Sequence, residues 1–412
     1  MLYFSAMNSE QIFSLALGLQ APWEIKAISF KIVDNKRVLE IEIGYLNGSF
    51  VDKQGKSTVY DHRERKWRHL NFFEHECYLI CKLPRISSAE GIKIVEVPWA
   101  RQGSGFTLMF EAFSMLLIEQ EMPVNRVGKV LGEYPKRIWT IFDYWIGLAY
   151  SDADHSKITK LGIDETSSKK GHNYVTLAVD MDTHRVLHAT EGKGAETIKE
   201  IAEYLDEKGS PRDAISSVCI DLSPSFISGV TKEFENAAIV FDRFHVKQLA
   251  NKAMDEVRKL DNRIYKEELR HCKYLFLRGH DKLNREQRQK KEEVLELLPN
   301  IGQAYFLKEL LDTFWTLHNP EVAKGFLSYW IDLAKESKIQ PMIKLANSIN
   351  SHWTGIVNYT EYKMSNGILE SINSKIQLAK RRARGYRNMS NFTNMIYFIA
   401  GKLKFNYPQY ST

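Results

Sequence analysis

The 412-residue chain is predicted to be a multidomain protein of mixed α+β and α/β class. Three observations predict it. Runs rich in β-branched and aromatic residues, bounded by turn formers, occur in two separate stretches, within 1–100 and within 157–242. From 106 to 149, and again from about 255 to 345, apolar residues recur at helical spacing instead. The length also exceeds what one core usually serves, and 44% hydrophobic residues give each part ample core. The expected organisation is a small β-rich module over 1–100 and a helical segment over 101–150. A domain with a mixed five-stranded sheet and flanking helices follows over 151–254 and 346–412, split by an all-α insertion over 255–345.

In the first module, strands are expected at 25–32, 37–45, 76–83 and 92–98, with a basic stretch at 62–69. Helices are expected at 106–121, at 124–131 after Pro123, and at 134–149 with Pro135 near its start. Gly132 separates the last two, which makes a helix-turn-helix pattern. Lys136 and Arg137 fall on the first turn of the would-be recognition helix, the part that enters a major groove.

In the second β-containing part, residues 161–164 read as a short buried strand ending on Asp164. Strands at 173–180 and 185–190 complete an antiparallel meander, and a helix at 195–207 has Ile198, Ile201, Ala202 and Leu205 on one face. A strand at 216–221 ends on Asp221, a helix spans 224–235, a strand at 237–242 ends on Asp242, and a helix starts near Arg243. That order, β-β-β-α-β-α-β-α, is the order of the ribonuclease H-like fold, in which Asp164 and Asp221 would face each other on neighbouring strands. Asp242 lies one strand further out and is expected to cap the helix from Arg243, worth about 1 kcal/mol. The insertion should contain helices at 255–267, 283–298, 304–317 and 322–336, punctuated by Pro299, Pro320 and Pro341, with Trp315, Trp330 and Trp353 as core or interface residues.

Glu370 is the last acidic residue of the chain. Residues 371–412 hold eight Lys or Arg and no Asp or Glu, so the net charge of +6 arises beyond Glu370. On the helix that carries it, Leu369, Ile372, Ile376 and Ala379 form an apolar stripe that would dock on the sheet. Glu370, Asn373, Gln377 and Lys380 form the neighbouring polar stripe, continued by Arg384. A lone carboxylate leading a basic tail predicts a metal-binding acid beside a phosphate-binding surface.

Several motifs carry a family resemblance. They are Ile163-Asp-Glu-Thr-Ser167 with Lys170-Gly-His172, Asp221-Leu-Ser-Pro-Ser-Phe-Ile227, Phe241-Asp-Arg-Phe-His-Val246 and Ser365-Asn-Gly-Ile-Leu-Glu-Ser-Ile-Asn-Ser-Lys-Ile376. With Lys380-Arg-Arg-Ala-Arg-Gly-Tyr-Arg-Asn388 and Val97-Pro-Trp-Ala-Arg-Gln-Gly-Ser-Gly-Phe-Thr-Leu108, they resemble bacterial insertion-sequence transposases of the ISL-three family. The resemblance implies an Asp-Asp-Glu catalytic domain with Asp164, Asp221 and Glu370 as catalytic residues and ligands of Mg²⁺, for which Mn²⁺ can substitute. Two such ions about 3.5–4 Å apart would activate a water or 3′-hydroxyl and hold the leaving oxygen. Oxygen-rich acids are the ligands that hard divalent ions require.

The implied partner is double-stranded DNA, as transposon ends and as target. Lys136 and Arg137 would read the ends, and Lys380, Arg381, Arg382, Arg384 and Arg387 would hold the backbone near the scissile phosphate. A homo-oligomer, at least a dimer on DNA, and a place in the bacterial cytoplasm at the nucleoid are also implied. The alternatives are a regulator derived from a transposase that no longer reacts, and a nuclease of the same fold that only cuts.

Many relatives carry a small zinc ribbon with paired Cys-x-x-Cys near the N-terminus. Here residues 50–56 have no Cys where a first pair would fall, and Ser87-Ser88 stand near the second. His75, Cys77 and Cys81 remain, without the four-ligand pattern of structural zinc. The expectation is a metal-free module with no zinc. Four cysteines without a regular framework of spacings argue against disulfides, and no apolar run approaches the ~20 residues of a membrane helix.

Overall fold

The computed structural model describes residues 7–51, 55–88, 91–169, 171, 173–279, 282–364 and 367–408, with only the backbone at Ser88. Asp52–Gln54, Lys170, His172, Ser365 and Asn366, all within the motifs above, lie outside these residues. The chain divides into two compact units, one of residues 1–145 with 405–412, the other of residues 146–404.

The first unit opens with α1 (Ser9–Ala16), capped by Asn8 and Gln11, whose side chains each bond the other's backbone N–H. A mixed sheet follows, built from β1 (Trp23–Val33), β2 (Lys36–Tyr45), β3 (Val59–Phe72), β4 (His75–Ser88) and β5 (Gly91–Ile94). Its order is β1-β2-β4-β3, with β5 on β4; β2 and β4 run parallel and the other pairs antiparallel. Leu39, Ile41 and Ile43 of β2 and Cys77, Leu79, Cys81 and Leu83 of β4 alternate onto one buried face, with Trp23, Trp67 and Trp99. β3 is the strand hidden in the basic stretch. Its charges stand exposed from Arg63 to Lys66, and its pairing with β4 rather than its own composition keeps it extended.

Three helices complete this unit, α2 (Leu108–Glu119), α3 (Val124–Leu131) and α4 (Pro135–Ser151), the last running on into the second unit. Thr107 caps α2 through its side chain. Gly132 ends α3 with φ 72°, a left-handed backbone that a β-carbon would penalise. Two buried charged groups hold the helices. Glu111 is fully buried and accepts from Arg101, Ser104 and the Trp145 indole at 2.9, 2.6 and 2.9 Å. Arg68 of β3 is buried with Glu133 3.7 Å away and bonds the Cys77 carbonyl at 3.2 Å.

The second unit holds a five-stranded sheet of β6 (Lys160–Lys169), β7 (Asn173–Asp180), β8 (Arg185–Glu191), β9 (Ser217–Ile220) and β10 (Ala238–Phe241). The order is β10-β9-β6-β7-β8. β6, β7 and β8 form an antiparallel meander; β9 runs parallel to β6, and β10 parallel to β9. The helices α5 (Ala195–Glu207), α6 (Pro224–Glu233) and α7 (Arg243–Asp261) connect the parallel strands and lead out of the sheet. One detail departs from expectation. β6 does not end at Asp164 but continues five residues to Lys169, so Asp164 lies inside the central strand. Polar Thr166 and Ser168 are buried there in hydrogen bonds with partners that the sequence does not reveal.

Beyond α7 come α8 (Lys273–Leu277), α9 (Arg285–Leu297), α10 (Pro299–Phe314), α11 (Pro320–Glu336), α12 (Gln340–Ser351) and α13 (Trp353–Tyr362). Pro299, Pro320 and Pro341 each stand at the start of a helix, where the missing N–H costs nothing. Trp330 is fully buried and donates to the Leu307 carbonyl at 2.7 Å; Trp315 is buried too, and Trp353 is partly so. The chain returns to the sheet as α14 (Gly367–Arg382) and α15 (Met389–Ala400). Among the described residues no helix is long and apolar enough to cross a membrane, and all four cysteines are free and buried.

Candidate active site

The site is built on β6 and β9. Their parallel register pairs Lys160 with Ser217, Leu161 with Val218 and Gly162 with Cys219, so two residues further along, Asp164 comes level with Asp221. Leu161 and Ile163 are fully buried, and Asp164 follows them on the opposite pleat from Ile163. Its Oδ1 accepts from the Glu165 backbone N–H at 2.8 Å and its Oδ2 from Asn373 Nδ2 at 2.7 Å. Burial pushes the Asp164 carboxyl up to about 6, and the nearby charges of Asp221 and Glu165 push in the same direction. The Glu165 N–H and His245 oppose the shift. Glu165 is raised as well, by burial first and then by Asp221. Asp221 accepts from the Ser223 N–H at 2.8 Å, a turn that starts α6, and lines a cleft of about 510 Å³ with Ser223, His245, Gln248 and Lys252.

The sign of the Asp164 shift sets a pH dependence of stability. A carboxyl raised in the fold favours the folded state below the ordinary value of 3.8, and that contribution is lost as pH rises through about 6. Ionised Asp164 therefore strains the metal-free protein at pH 7–8. Asp164→Asn is expected to raise the melting temperature of metal-free protein there by a few degrees and to make no difference near pH 4. The amide of Asn373 can flip to keep its bond. A thermal melt at both pH values in chelator checks this.

The third acid arrives on α14. Leu369, Ile372 and Ile376 are buried on its apolar stripe, and each fully buried aliphatic side chain contributes about 1.5–3 kcal/mol. Leu369 packs where Gly162 has no side chain: a β-carbon there would lie 3.0 Å from Leu369 Cδ1 and 2.4 Å from Met181 Sδ. The polar stripe then reads along β6. Asn373 bonds Asp164, Gln377 bonds Thr166 Oγ1 at 2.8 Å and the Ser167 carbonyl at 2.9 Å, and Lys380 bonds the Ser167 carbonyl. Glu370 stands one turn before Asn373 on this face, with its carboxylate exposed. The structure thus brings Asp221 close enough for its charge to act on Asp164, and sets Glu370 one helical turn from Asn373, which bonds Asp164. Among the described residues no three His, Cys, Asp or Glu side chains enclose a point where an ion could sit.

Asp242 is the N-cap residue of α7 by backbone geometry, but its side chain makes no cap hydrogen bond. It is buried, with the His245 ring 3.9 Å away, so the expected capping contribution is absent. The basic tail also differs from expectation. α14 ends at Arg382, and Arg384 takes φ 58° and Gly385 φ 88°, so Arg384 does not continue the helical stripe. Lys380 is half-buried and spent on Ser167, whereas Arg381, Arg384 and Arg387 are exposed. Arg382 is exposed too. In the other unit Lys136 is exposed, and Arg137 is held by Glu133 with its guanidinium 4.2 Å over the Phe106 ring.

His245 escaped the sequence reading, and Asn373 was read only as part of a polar stripe; the charge effect of the first on Asp164 and the 2.7 Å bond of the second to it single them out.

Comparisons with known proteins match both the part of the chain that holds this sheet and the three-helix segment. A family model described as "Transposase", of the ISL3 type, matches residues 161–396. The helix-turn-helix domain of transposase family ISL3 matches residues 95–146. The chain is 26% identical over 344 residues to the transposase for insertion sequence element IS1001 of Bordetella parapertussis, covering 81% of this chain and 84% of that protein. It is 27% identical over 372 residues to the transposase for insertion sequence element IS1557 of Mycobacterium tuberculosis, covering 81% of each. The chain therefore belongs to the ISL3 family of insertion-sequence transposases, DNA-binding enzymes with a helix-turn-helix domain.

One expectation is corrected. The zinc-finger of transposase IS204/IS1001/IS1096/IS1165 matches residues 54–87, against the expectation that no zinc belongs here. The expectation rested on the missing Cys-x-x-Cys pairs and on His75, Cys77 and Cys81 falling short of four ligands, whereas the matched region is the β3–β4 hairpin as a whole. Of the possible donors in it, Cys77 and Cys81 are buried in the sheet core, and burial raises their thiols to about 11 and about 12. Among the described residues no third donor joins them, so the residues in place do not make a closed four-ligand site.

Proposed function

We propose that this transposase binds the terminal inverted repeats of its insertion sequence, cleaves the DNA strands there, and joins the 3′ ends to target DNA, using Asp164, Asp221 and Glu370 on a ribonuclease H-like domain. The observation that carries the reading is the parallel pairing of β6 with β9, which leads Asp164 and the residue just past β9, Asp221, to the same end of the sheet, with α14 bonded along β6 so that Glu370 stands one turn from Asn373. The donor set fits a hard divalent cation such as Mg²⁺ in kind: carboxylate oxygens, with Asp164 and Glu165 raised by burial and then by the charge of Asp221, and a buried amide oxygen of Asn373 without a hydrogen bond among the described residues. When bound, such ions activate the attacking oxygen and stabilise the leaving one. The protein's own part is to orient. Glu165 N–H and Asn373 fix Asp164, and the turn at Ser223 fixes Asp221.

Residues 255–345 act as an all-α insertion in this reading, the active form on DNA is at least a dimer, and the protein works at the bacterial nucleoid in the cytoplasm. Cleavage of labelled terminal-repeat DNA in Mg²⁺ tests the function, with random-sequence duplex as control. Equal cutting of both would leave only a nuclease.

Arg381, Arg384 and Arg387 are the cations we assign to the phosphate backbone beyond the site. Changing all three to Ala is expected to weaken binding to every sequence alike. The slope of log affinity against log salt should flatten by about 0.9 for each duplex phosphate that is no longer neutralised. A binding series at several salt concentrations checks it, and an unchanged slope would return these residues to a solvated surface.

A further inference from the structure

We propose that Asn373 is a positioning residue of the active site, whose amide N–H orients Asp164 and whose carbonyl oxygen is a donor for the divalent cation held there. The inference rests on the reading of Asp164, Asp221 and Glu370 given above. Asn373 Nδ2 donates to Asp164 Oδ2 at 2.7 Å and reaches the Glu165 carbonyl oxygen at 3.5 Å. Charge decides which way round the amide sits. A carboxylate only accepts, so the nitrogen must face Asp164, and the opposite flip would set oxygen against oxygen. Asn373 Oδ1 consequently turns away from Asp164, and it is buried with no hydrogen-bond partner among the described residues.

A buried carbonyl left unpaired is costly, and a fold keeps one where a ligand completes it. The amide that carries this oxygen sits against Asp164 and the Glu165 carbonyl through its nitrogen, and the charge of Asp221 acts on both acids. That is an oxygen-rich, net negative surrounding, which attracts a hard cation and repels an anion. Gln377 and Lys380 make bonds of the same kind from α14 to β6, and neither leaves a buried atom without a hydrogen bond among the described residues. They hold the helix; Asn373 holds the helix and has one donor atom to spare.

The test is a Mn²⁺ titration of the full-length chain, with free Mn²⁺ read by electron paramagnetic resonance, on wild type, Asn373→Leu, Gln377→Leu and Asp164→Asn. Removing a residue that orients a metal ligand typically costs roughly 10–100-fold in metal affinity, and Asn373→Leu is expected to weaken Mn²⁺ binding by that much. Gln377→Leu should lower the melting temperature and leave the Mn²⁺ affinity within about twofold, while Asp164→Asn should lose the ion. Asn373→Ala gives the same readout if the Leu variant does not fold. Wild-type Mn²⁺ affinity in both Asn373 variants, with binding lost in Asp164→Asn, overturns the role of Asn373 alone. An equal loss in Gln377→Leu also overturns it, since docking of α14 would then be the cause. Full Mn²⁺ binding in Asp164→Asn would remove the reading of the site itself.

Discussion

Asp164→Asn, Asp221→Asn and Glu370→Gln are each expected to abolish strand cleavage of terminal-repeat DNA while leaving DNA binding within a few-fold. Each change keeps the size of the side chain and removes the charge that would hold a divalent ion. Loss of one preorganised group that stabilises developing charge costs roughly 10²–10³-fold, and loss of the ion itself costs more. The three are not equivalent in the structure. Asp164 lies in β6 and Asp221 directly follows the paired strand β9, close enough for its charge to act on Asp164, whereas Glu370 is exposed on the first turn of α14. Asp164→Asn should therefore have the largest effect on ion affinity, and Glu370→Gln should act mainly on turnover. DNA binding by the helix-turn-helix domain should survive in all three. Full cleavage activity in any one of the amides would remove that residue from the site.

Gly162→Val is expected to impair cleavage without touching any acid. The missing side chain at Gly162 is what lets α14 lie close on β6. A single β-carbon meets Met181 Sδ at 2.4 Å, and that flexible thioether can move aside, so Gly162→Ala should be tolerated best. The two further methyls of Val meet Leu369, whose Cδ1 is already 3.0 Å from the β-carbon position. Overpacking of this kind costs about 1–3 kcal/mol, and it displaces the helix that carries Glu370 and Asn373. Urea denaturation should report the loss of stability, and the cleavage rate should fall at least about tenfold because the acids lose their alignment. A Val variant that is destabilised but cuts at the wild-type rate would show that the seating of α14 on Gly162 does not matter to the chemistry.

Much of the second unit was legible because its elements are short and strongly patterned. The strand at 173–180 and the helix at 195–207 have the expected bounds, since β-branched runs and a clean helical stripe leave little ambiguity. The helices at 124–131 and 243 onward were legible for the same reason, with Gly132 and Asp242 marking their ends. What stayed hidden was set by partners distant in sequence. β3 is highly charged, and only its pairing with β4 makes it a strand. β6 runs past Asp164 because Gln377 and Lys380 bond its polar end. Two helices, α8 and α13, carry no strong stripe of their own, whereas α12 buries Met342, Leu345, Ala346 and Ile349 along one side and was passed over. At the site, residue types alone singled out Asp164, Asp221 and Glu370. Asn373 and His245 acquire meaning only from where α14 and α7 set them. The place of a zinc-ribbon-like module near the N-terminus was legible from the resemblance, but the expectation of no zinc, drawn from cysteine spacing, conflicts with the zinc-finger match over residues 54–87.

The central claim is that Asp164 and Asp221, with Glu370 brought to them on α14, hold the divalent cation. The most direct measurement is a crystal structure of the full chain with Mn²⁺ and terminal-repeat DNA, with the ion located by its anomalous scattering. The predicted result is Mn²⁺ coordinated by Asp164 and Asp221, with Glu370 turned in to complete the site. Mn²⁺ coordinated by Asp242 in place of Asp221, or no ion within reach of Asp164, would contradict it.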